Sequence, residues 1–216
     1  MKGVVLCNGD RPSAGLLRQE LADADFVVCA DGAAKYALEA GVKVDLFVGD
    51  LDSLEEKDAV EKLGCETVFL PEDKDMTDGE IAARLAAERG CSRITLLGAT
   101  GGRMDHFLGS VQVLVALCLL GVSGCIADEQ NRIYVTCTHM EFDGQLGDFL
   151  SLIPLGVNVR IRSTSGLLYP LILQELPLGT ALGISNRFSC EHAAVDVADG
   201  WVIVVLSRDA AVREAR

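Results

Sequence analysis

Positive charge is what this chain has least of. Among 216 residues, 19 Lys and Arg face 32 Asp and Glu, a formal net charge of -13. Nucleic acids and anionic membrane surfaces are recognised by clustered Lys and Arg, so this balance excludes both as partners. A phosphorylated ligand such as ATP stays admissible, because divalent cations bridge carboxylates to phosphates, and a cationic small molecule is not repelled. Long hydrophobic runs are also missing. The longest, Phe107 to Val122, is interrupted by Ser110 and Gln112 and is shorter than the roughly 20 residues that cross a bilayer, so it is expected to form a buried helix. The opening MKGVVLCNGD turns polar at Asn8, Asp10 and Arg11, too soon for the apolar region of an export signal. No CxxC pair occurs among the eight cysteines, which lie mostly in apolar segments, where a thiol acts as a small hydrophobe. A cytoplasmic location is therefore expected. Cys137-Thr-His139 and Cys190-Glu-His192 resemble fragments of a zinc site, but no second ligand pair stands at structural-site spacing, so no zinc is expected.

Half of the residues are apolar, enough for one large core or two smaller ones at roughly 100–200 residues per domain. Up to Asp128, short β-branched runs alternate with longer helical patterns, which predicts an α/β domain over 1–128 with a mostly parallel sheet. The expected strands are Gly3–Cys7, Phe26–Ala30, Leu46–Gly49, Thr67–Leu70, Ile94–Leu97 and Cys125–Ala127. Ser53 with Glu56, and Thr77 with Glu80, fit the S/T-x-x-E capping box, so helices should begin after Ser53 and Thr77. Beyond Asp128 the texture becomes short strands with turn signals: Ile133–Cys137, Phe149–Ile153, Val157–Arg162, Leu182–Ile184, Ala194–Val197 and Trp201–Leu206. That pattern predicts a small antiparallel sandwich or barrel over 129–216. The junction carries no Pro- or Ser-rich linker, and no internal repeat or low-complexity segment is present.

Ligands of an open parallel α/β sheet bind beyond the carboxyl ends of its strands. Those positions are crowded with Asp here. Asp31 follows one strand, and Asp50 and Asp52 follow the next. Asp73, Asp75 and Asp78 come after another, and Gly98 to Asp105 after a fourth. Residues two apart in an extended segment face the same way, so Asp50 and Asp52 can aim at one point, as can Asp75 and Asp78 at a helix start. Any single Asp could be a cap or a turn residue. Crowded carboxylates without a cation would raise one another's pKa values, so the group as a whole points to Mg²⁺, which takes oxygen ligands. The glycines of Gly98–Asp105 allow close approach of backbone amides to phosphate, with Arg103 as a charged donor. Neither GxxxxGK[ST] nor GxGxxG is present.

CADGAAKY, VGDLDS, DKDMTD and GATGGRMDH, in this order and at these separations, resemble the thiamine pyrophosphokinase family. Gly166-Leu-Leu-Tyr169-Pro170-Leu171 followed by Gly183-Ile184-Ser185-Asn186 looks like the thiamine-side motif of the same family, so the resemblance covers nearly the whole chain. It implies an α/β fold: an N-terminal, mostly parallel three-layer ATP-binding domain followed by a small all-β sandwich domain that binds thiamine. It also implies a homodimer with active sites between subunits. By the same resemblance Asp31, Asp50, Asp52, Asp75, Asp78 and Asp105 hold Mg²⁺ or lie near it and the triphosphate, with Asp50, Asp52 and Asp78 as metal ligands. Lys74, Thr77 and Arg103 contact ATP, and Ser185 and Asn186 touch thiamine. Some members place a Trp against the thiamine rings. Trp201, the single Trp here, sits in a terminal strand pattern and is expected to pack.

The activity so implied is Mg²⁺-dependent transfer of a pyrophosphoryl group from ATP to the hydroxyl of thiamine, with AMP leaving. Catalysis would rest on positioning and charge neutralisation. Asp75 or Asp78 could accept the hydroxyl proton. On the residues alone, a different alcohol acceptor such as a pterin, a sensor without turnover, and a Mg²⁺-dependent phosphatase using an Asp nucleophile stay open. AMP formation separates the last two from pyrophosphoryl transfer, and the Gly183-Ile184-Ser185-Asn186 segment argues for thiamine over a pterin.

Overall fold

The computed structural model describes residues 1–50, 54–71, 73 and 75–208. In its first half the strands are apolar runs buried along nearly their whole length: β1 (Lys2–Leu6), β2 (Phe26–Ala30), β3 (Leu46–Gly49), β5 (Arg93–Leu97) and β6 (Ser123–Ala127). Only a strand covered on both faces carries such a run. β4 (Glu66–Phe69) is the exposed exception. Every pairing among these six is parallel, in the order β6-β5-β1-β2-β3-β4.

Five helices connect them: α1 (Ala14–Leu21), α2 (Ala33–Glu39), α3 (Leu54–Leu63), α4 (Asp78–Glu88) and α5 (Met104–Leu119). Ser13 caps α1 by accepting from Leu16 N, and Thr77 caps α4 by accepting from Glu80 N at 3.2 Å. The helix expected after Thr77 therefore starts with the cap its sequence implies. Ser53 lies outside the described residues. α2, α4 and α5 end alike: Gly41, Gly90 and Gly121 take positive φ, and the next amide bonds back across the last turn, as in Val42 N to Ala37 O at 2.9 Å. α4 packs over β1, β2, β3 and β5.

The helix expected from Phe107 onward is only half buried. α5 buries Val111, Val113, Leu114 and Leu117, whereas Met104, Leu108 and Leu119 are exposed. Its apolar residues encircle the helix, and the sheet covers one side of it. No helix among the described residues is long and apolar enough to cross a membrane.

The chain divides into two compact units, Met1–Glu129 and Gln130–Arg216. The second is a sandwich of two antiparallel sheets. One runs β12 (Asn186–Arg187), β9 (Phe149–Pro154), β14 (Val202–Ser207), β7 (Asn131–Thr136); the other runs β11 (Ile172–Pro177), β10 (Asn158–Ser165), β13 (His192–Asp199), β8 (His139–Asp143). Alternate residues of β9, β10, β13 and β14 face inward, and Leu150, Leu152, Ile161, Val195, Val204 and their neighbours form its core.

Three short strands here escape the hydrophobic pattern. β8 and β11 are sheet edges, and β8 presents His139, Glu141 and Asp143 outward while burying Phe142. β12 is two residues long. Leu182–Ile184, expected as a strand, is instead a turn. Thr180 Oγ1 accepts from Leu182 N at 3.2 Å and Ile184 N donates to Ala181 O at 3.1 Å. These local bonds win, and Leu182 and Ile184 are left exposed.

Candidate active site

β1 is where strand order reverses, since β2, β3 and β4 lie to one side of it and β5 and β6 to the other. Open α/β sheets place their ligand crevice at such a point. A cleft of about 490 Å³ lies there, lined by Cys7–Asp10 after β1, Asp31 after β2, Thr77–Gly79 at the start of α4, and Gly98–Arg103 after β5, with His106 and Ser110 of α5. The two loops that flank the reversal are zipped by main chain. Cys7 N donates to Leu97 O at 2.8 Å, Gly9 N to Gly98 O at 2.7 Å, and Asp10 N to Thr100 O at 2.9 Å. Gly98 and Gly101 both have positive φ, and a β-carbon on them would run into the Cys7 carbonyl and the Asp10 carboxylate. Only glycine permits that approach. Tyr36, the last residue of CADGAAKY, donates its hydroxyl to Cys7 O at 3.1 Å and so pins the end of β1.

The site residues predicted in the first unit fall into three groups. Asp31, Thr77, Asp78 and Arg103 line the cleft together. Asp31 is held at φ 50, with its N donating to Val48 O at 2.8 Å. Asp is one of the few side chains that adopt this left-handed conformation readily. Asp78 is the first residue of α4, its Oδ1 shielded from solvent. The amino ends of α4 and α5 carry partial positive charge toward the cleft, which favours an anionic ligand. Asp50, Asp75 and Asp105 are not among the described residues that line it. Asp50 directly follows β3 and is half-buried, and Asp75 is exposed. Asp105 forms an exposed two-point pair with Arg103, Nη2 to Oδ2 at 2.6 Å and Nε to Oδ1 at 3.2 Å. The Arg103 guanidinium holds the Asp105 carboxyl below its ordinary range. Exposed pairs of this kind contribute little energy, so Arg103 is readily drawn to another anion. Asp52 and Lys74 lie outside the described residues.

Asn8, Gly9, Asp10 and Ser110 line the cleft without having been singled out in the sequence. Asn-Gly-Asp directly after an apolar run was the available signal. Its weight depends on strand order.

The carboxylate set suits Mg²⁺ in kind, since all its donors are hard oxygens and Asp78 keeps one of them away from solvent. Among the described residues no three His, Cys, Asp or Glu side chains form a group that could hold a metal ion, and Asp52, one of the three ligands named, is not described. Cys137 and His139, and Cys190 and His192, likewise form no such group. Burial pushes the Cys7 thiol up to about 12, which keeps it protonated and poorly nucleophilic at neutral pH.

In the second unit Ser185 and Asn186 follow the 181–184 turn. Ser185 is exposed and has φ 61, with its N donating to Ser151 Oγ at 3.0 Å. Asn186 is buried. Its Oδ1 accepts from Tyr169 N at 3.0 Å and from Arg187 N at 2.9 Å, while Nδ2 donates to Tyr169 O at 2.6 Å. Ser151, which faced no motif in the sequence, is thus part of this constellation. Trp201 precedes β14, half-buried, and its carbonyl accepts from Leu155 N at 2.8 Å.

Both units have known counterparts. Residues 17–121 match the family described as thiamin pyrophosphokinase, catalytic domain, and residues 130–202 the family described as thiamin pyrophosphokinase, vitamin B1 binding domain. A thiamine pyrophosphokinase of Bacillus subtilis is 32% identical over 178 residues, covering 80% of this chain and 82% of that one. The crystal structure of thiamine pyrophosphokinase from the same organism superposes with a TM-score of 0.87 at 25% identity, covering 97% of this chain and 100% of the other. That of thiamin pyrophosphokinase from Geobacillus thermodenitrificans gives 0.83 at 28% identity, covering 97% and 99%. With both halves matched, and a relative of this identity aligned across four-fifths of its length, the chain belongs to the thiamine pyrophosphokinase family of enzymes.

Proposed function

We propose that the chain transfers the pyrophosphoryl group of ATP to the hydroxyl of thiamine, releasing AMP and thiamine diphosphate, with Mg²⁺ as cofactor. The observation that carries this is the cleft at the strand-order reversal, where Asp31, Asp78 and Arg103 surround a glycine-lined floor and two helix amino ends. Backbone amides and Arg103 suit the negative oxygens of a triphosphate. Thr77, Lys74 and Asp105 complete the ATP side in this reading. Asp50, Asp52 and Asp78 would hold Mg²⁺, which would supply charge neutralisation at the phosphates.

The thiamine oxygen attacks the β-phosphorus in line, and the bond from that phosphorus to the α,β-bridging oxygen breaks, so that oxygen leaves with AMP. The hydroxyl proton passes to a carboxylate, Asp75 or Asp78, and on to solvent. Little base strength is required in a loose transition state. Ser185 and Asn186 belong to the thiamine side. The same reading includes a homodimer and a cytoplasmic location; sedimentation at micromolar concentration tests the first.

Purified protein with ATP, Mg²⁺ and thiamine should form AMP and thiamine diphosphate in equal amounts, separable by chromatography, and EDTA should stop both. Inorganic phosphate in place of AMP would point to a phosphatase. Bound ATP or thiamine with no AMP would leave a sensor.

A further inference from the structure

The 166–171 segment of the second unit is held by main-chain bonds at Gly166 and Leu168 and, farther on, by two residues that bond reciprocally to its main chain. Asn186 takes the Tyr169 N–H on Oδ1 and gives Nδ2 to the Tyr169 carbonyl. Thr164 Oγ1 accepts from Leu171 N at 2.8 Å and Thr164 N donates to Leu171 O at 2.9 Å. Beside these fastenings, the side chains of Leu168 and Tyr169 stand out, the residues 53% and 63% exposed. Exposed apolar side chains on a backbone so tightly held are shaped for something other than the core. Asn186 is only 6% exposed, both acceptor sites of its Oδ1 are filled, and one of its two Nδ2 hydrogens goes to Tyr169 O. Turning the amide over would set donor against donor, so its orientation is fixed by its partners. Such a group has little left to offer a ligand.

We infer that Asn186 is a positioning residue: it fixes the exposed 168–170 edge beside Ser185 for thiamine and does not itself touch the substrate. This rests on the thiamine reading above. A chain in which Asn186 is cut back keeps Ser185 and the cleft of the first unit but leaves the Tyr169 amide and carbonyl to find new partners. Thiamine should then bind less well while ATP is unaffected.

The test is steady-state kinetics on the full chain with thiamine and ATP each varied, together with hydrogen exchange of the Tyr169 amide. Asn186→Ala is expected to raise the KM for thiamine about tenfold, the equivalent of one or two lost hydrogen bonds. The KM for ATP should stay unchanged, and the Tyr169 amide should exchange faster. Asn186→Asp keeps the acceptor for Tyr169 N and Arg187 N but turns a second oxygen on the Tyr169 carbonyl, so it too should raise the thiamine KM and speed Tyr169 exchange with the KM for ATP unchanged. If the Ala variant does not fold, the Asp variant decides alone. An unchanged thiamine KM overturns the inference, as does a raised thiamine KM with unchanged Tyr169 exchange, which would mean direct contact. An equal rise in both KM values, the mark of general loosening, also overturns it. Wild-type protein that makes no thiamine diphosphate would overturn the thiamine reading itself and this role with it.

Discussion

The cleft of the first unit and the 166–186 edge of the second both rest on main-chain pairing and differ in how much side chains reinforce it. Around the cleft, main chain bonds main chain: loops leaving neighbouring parallel strands are zipped together, and glycines let them touch. At the edge main chain also pairs, Leu168 N with Arg187 O and Ser189 N with Gly166 O, both at 2.8 Å, and side chains reinforce it, Asn186 to Tyr169 over 17 residues and Ser151 to Ser185 over 34. A site made of strand ends depends on its glycines and its charges. One reinforced by side-chain fastenings loosens when any fastening is lost.

The largest effect that would break this comparison is loss of charge in the cleft. Asp78→Asn is expected to lower kcat by on the order of 10²–10³, the scale seen when one preorganised charge-stabilising group is removed, with an unchanged circular dichroism spectrum. Near-normal turnover would refute the metal assignment. Next comes a matched pair of glycines. Gly98→Ala drives a β-carbon at positive φ into the Cys7 carbonyl, and Gly166→Ala does the same against the His192 carbonyl. Each should lose roughly 2 kcal/mol or more. In addition, the first should raise the KM for ATP alone and the second that for thiamine alone. A crossed result would show that the two sites are not separate in this way.

Smaller is Ser151→Ala, which deprives Ser185 N of its acceptor and should raise the thiamine KM roughly threefold to tenfold, the equivalent of about 1 kcal/mol.

The last effect is in alkali. Burial raises the Cys7 thiol from 9.0 to about 12, and raises Cys29 and Tyr36 in the same direction. The unfolded chain therefore sheds these protons first, so their contribution to stability is whole below pH 9 and is lost as pH rises from about 9 to about 12. The urea midpoint should fall between pH 8 and pH 10, with exchange rising first in β1 and β2. A flat midpoint would contradict the assigned burial.

What could be read from the sequence follows the same division. The parallel strands were legible because both their faces are covered, which writes unbroken apolar runs such as Val4–Leu6 and Leu46–Val48. The Asp and Gly residues behind them stood out for the same reason, and Asp31, Asp78 and Arg103 do share one cleft. Asn8 and Asp10 did not stand out, because their place beside Gly98 and Gly101 depends on β5 lying next to β1. In the sandwich, the edge strands β8 and β11 carry mixed surfaces, and the 181–185 turn is made by local hydrogen bonds that override its apolar composition. The direction of the Asn186 amide, inward to Tyr169, is set by tertiary packing that has no local signature. Family resemblance can assign Asn186 to the thiamine side, but its contacts become visible only in the fold.

The most direct test of the central claim follows the phosphorus atoms. ATP labelled at the α position and, separately, at the β position should be turned over with thiamine, and the products separated. Pyrophosphoryl transfer puts all β label in thiamine diphosphate and all α label in AMP, with no thiamine monophosphate on the way. Label from the β position appearing in ADP, with thiamine monophosphate formed first, would contradict the account.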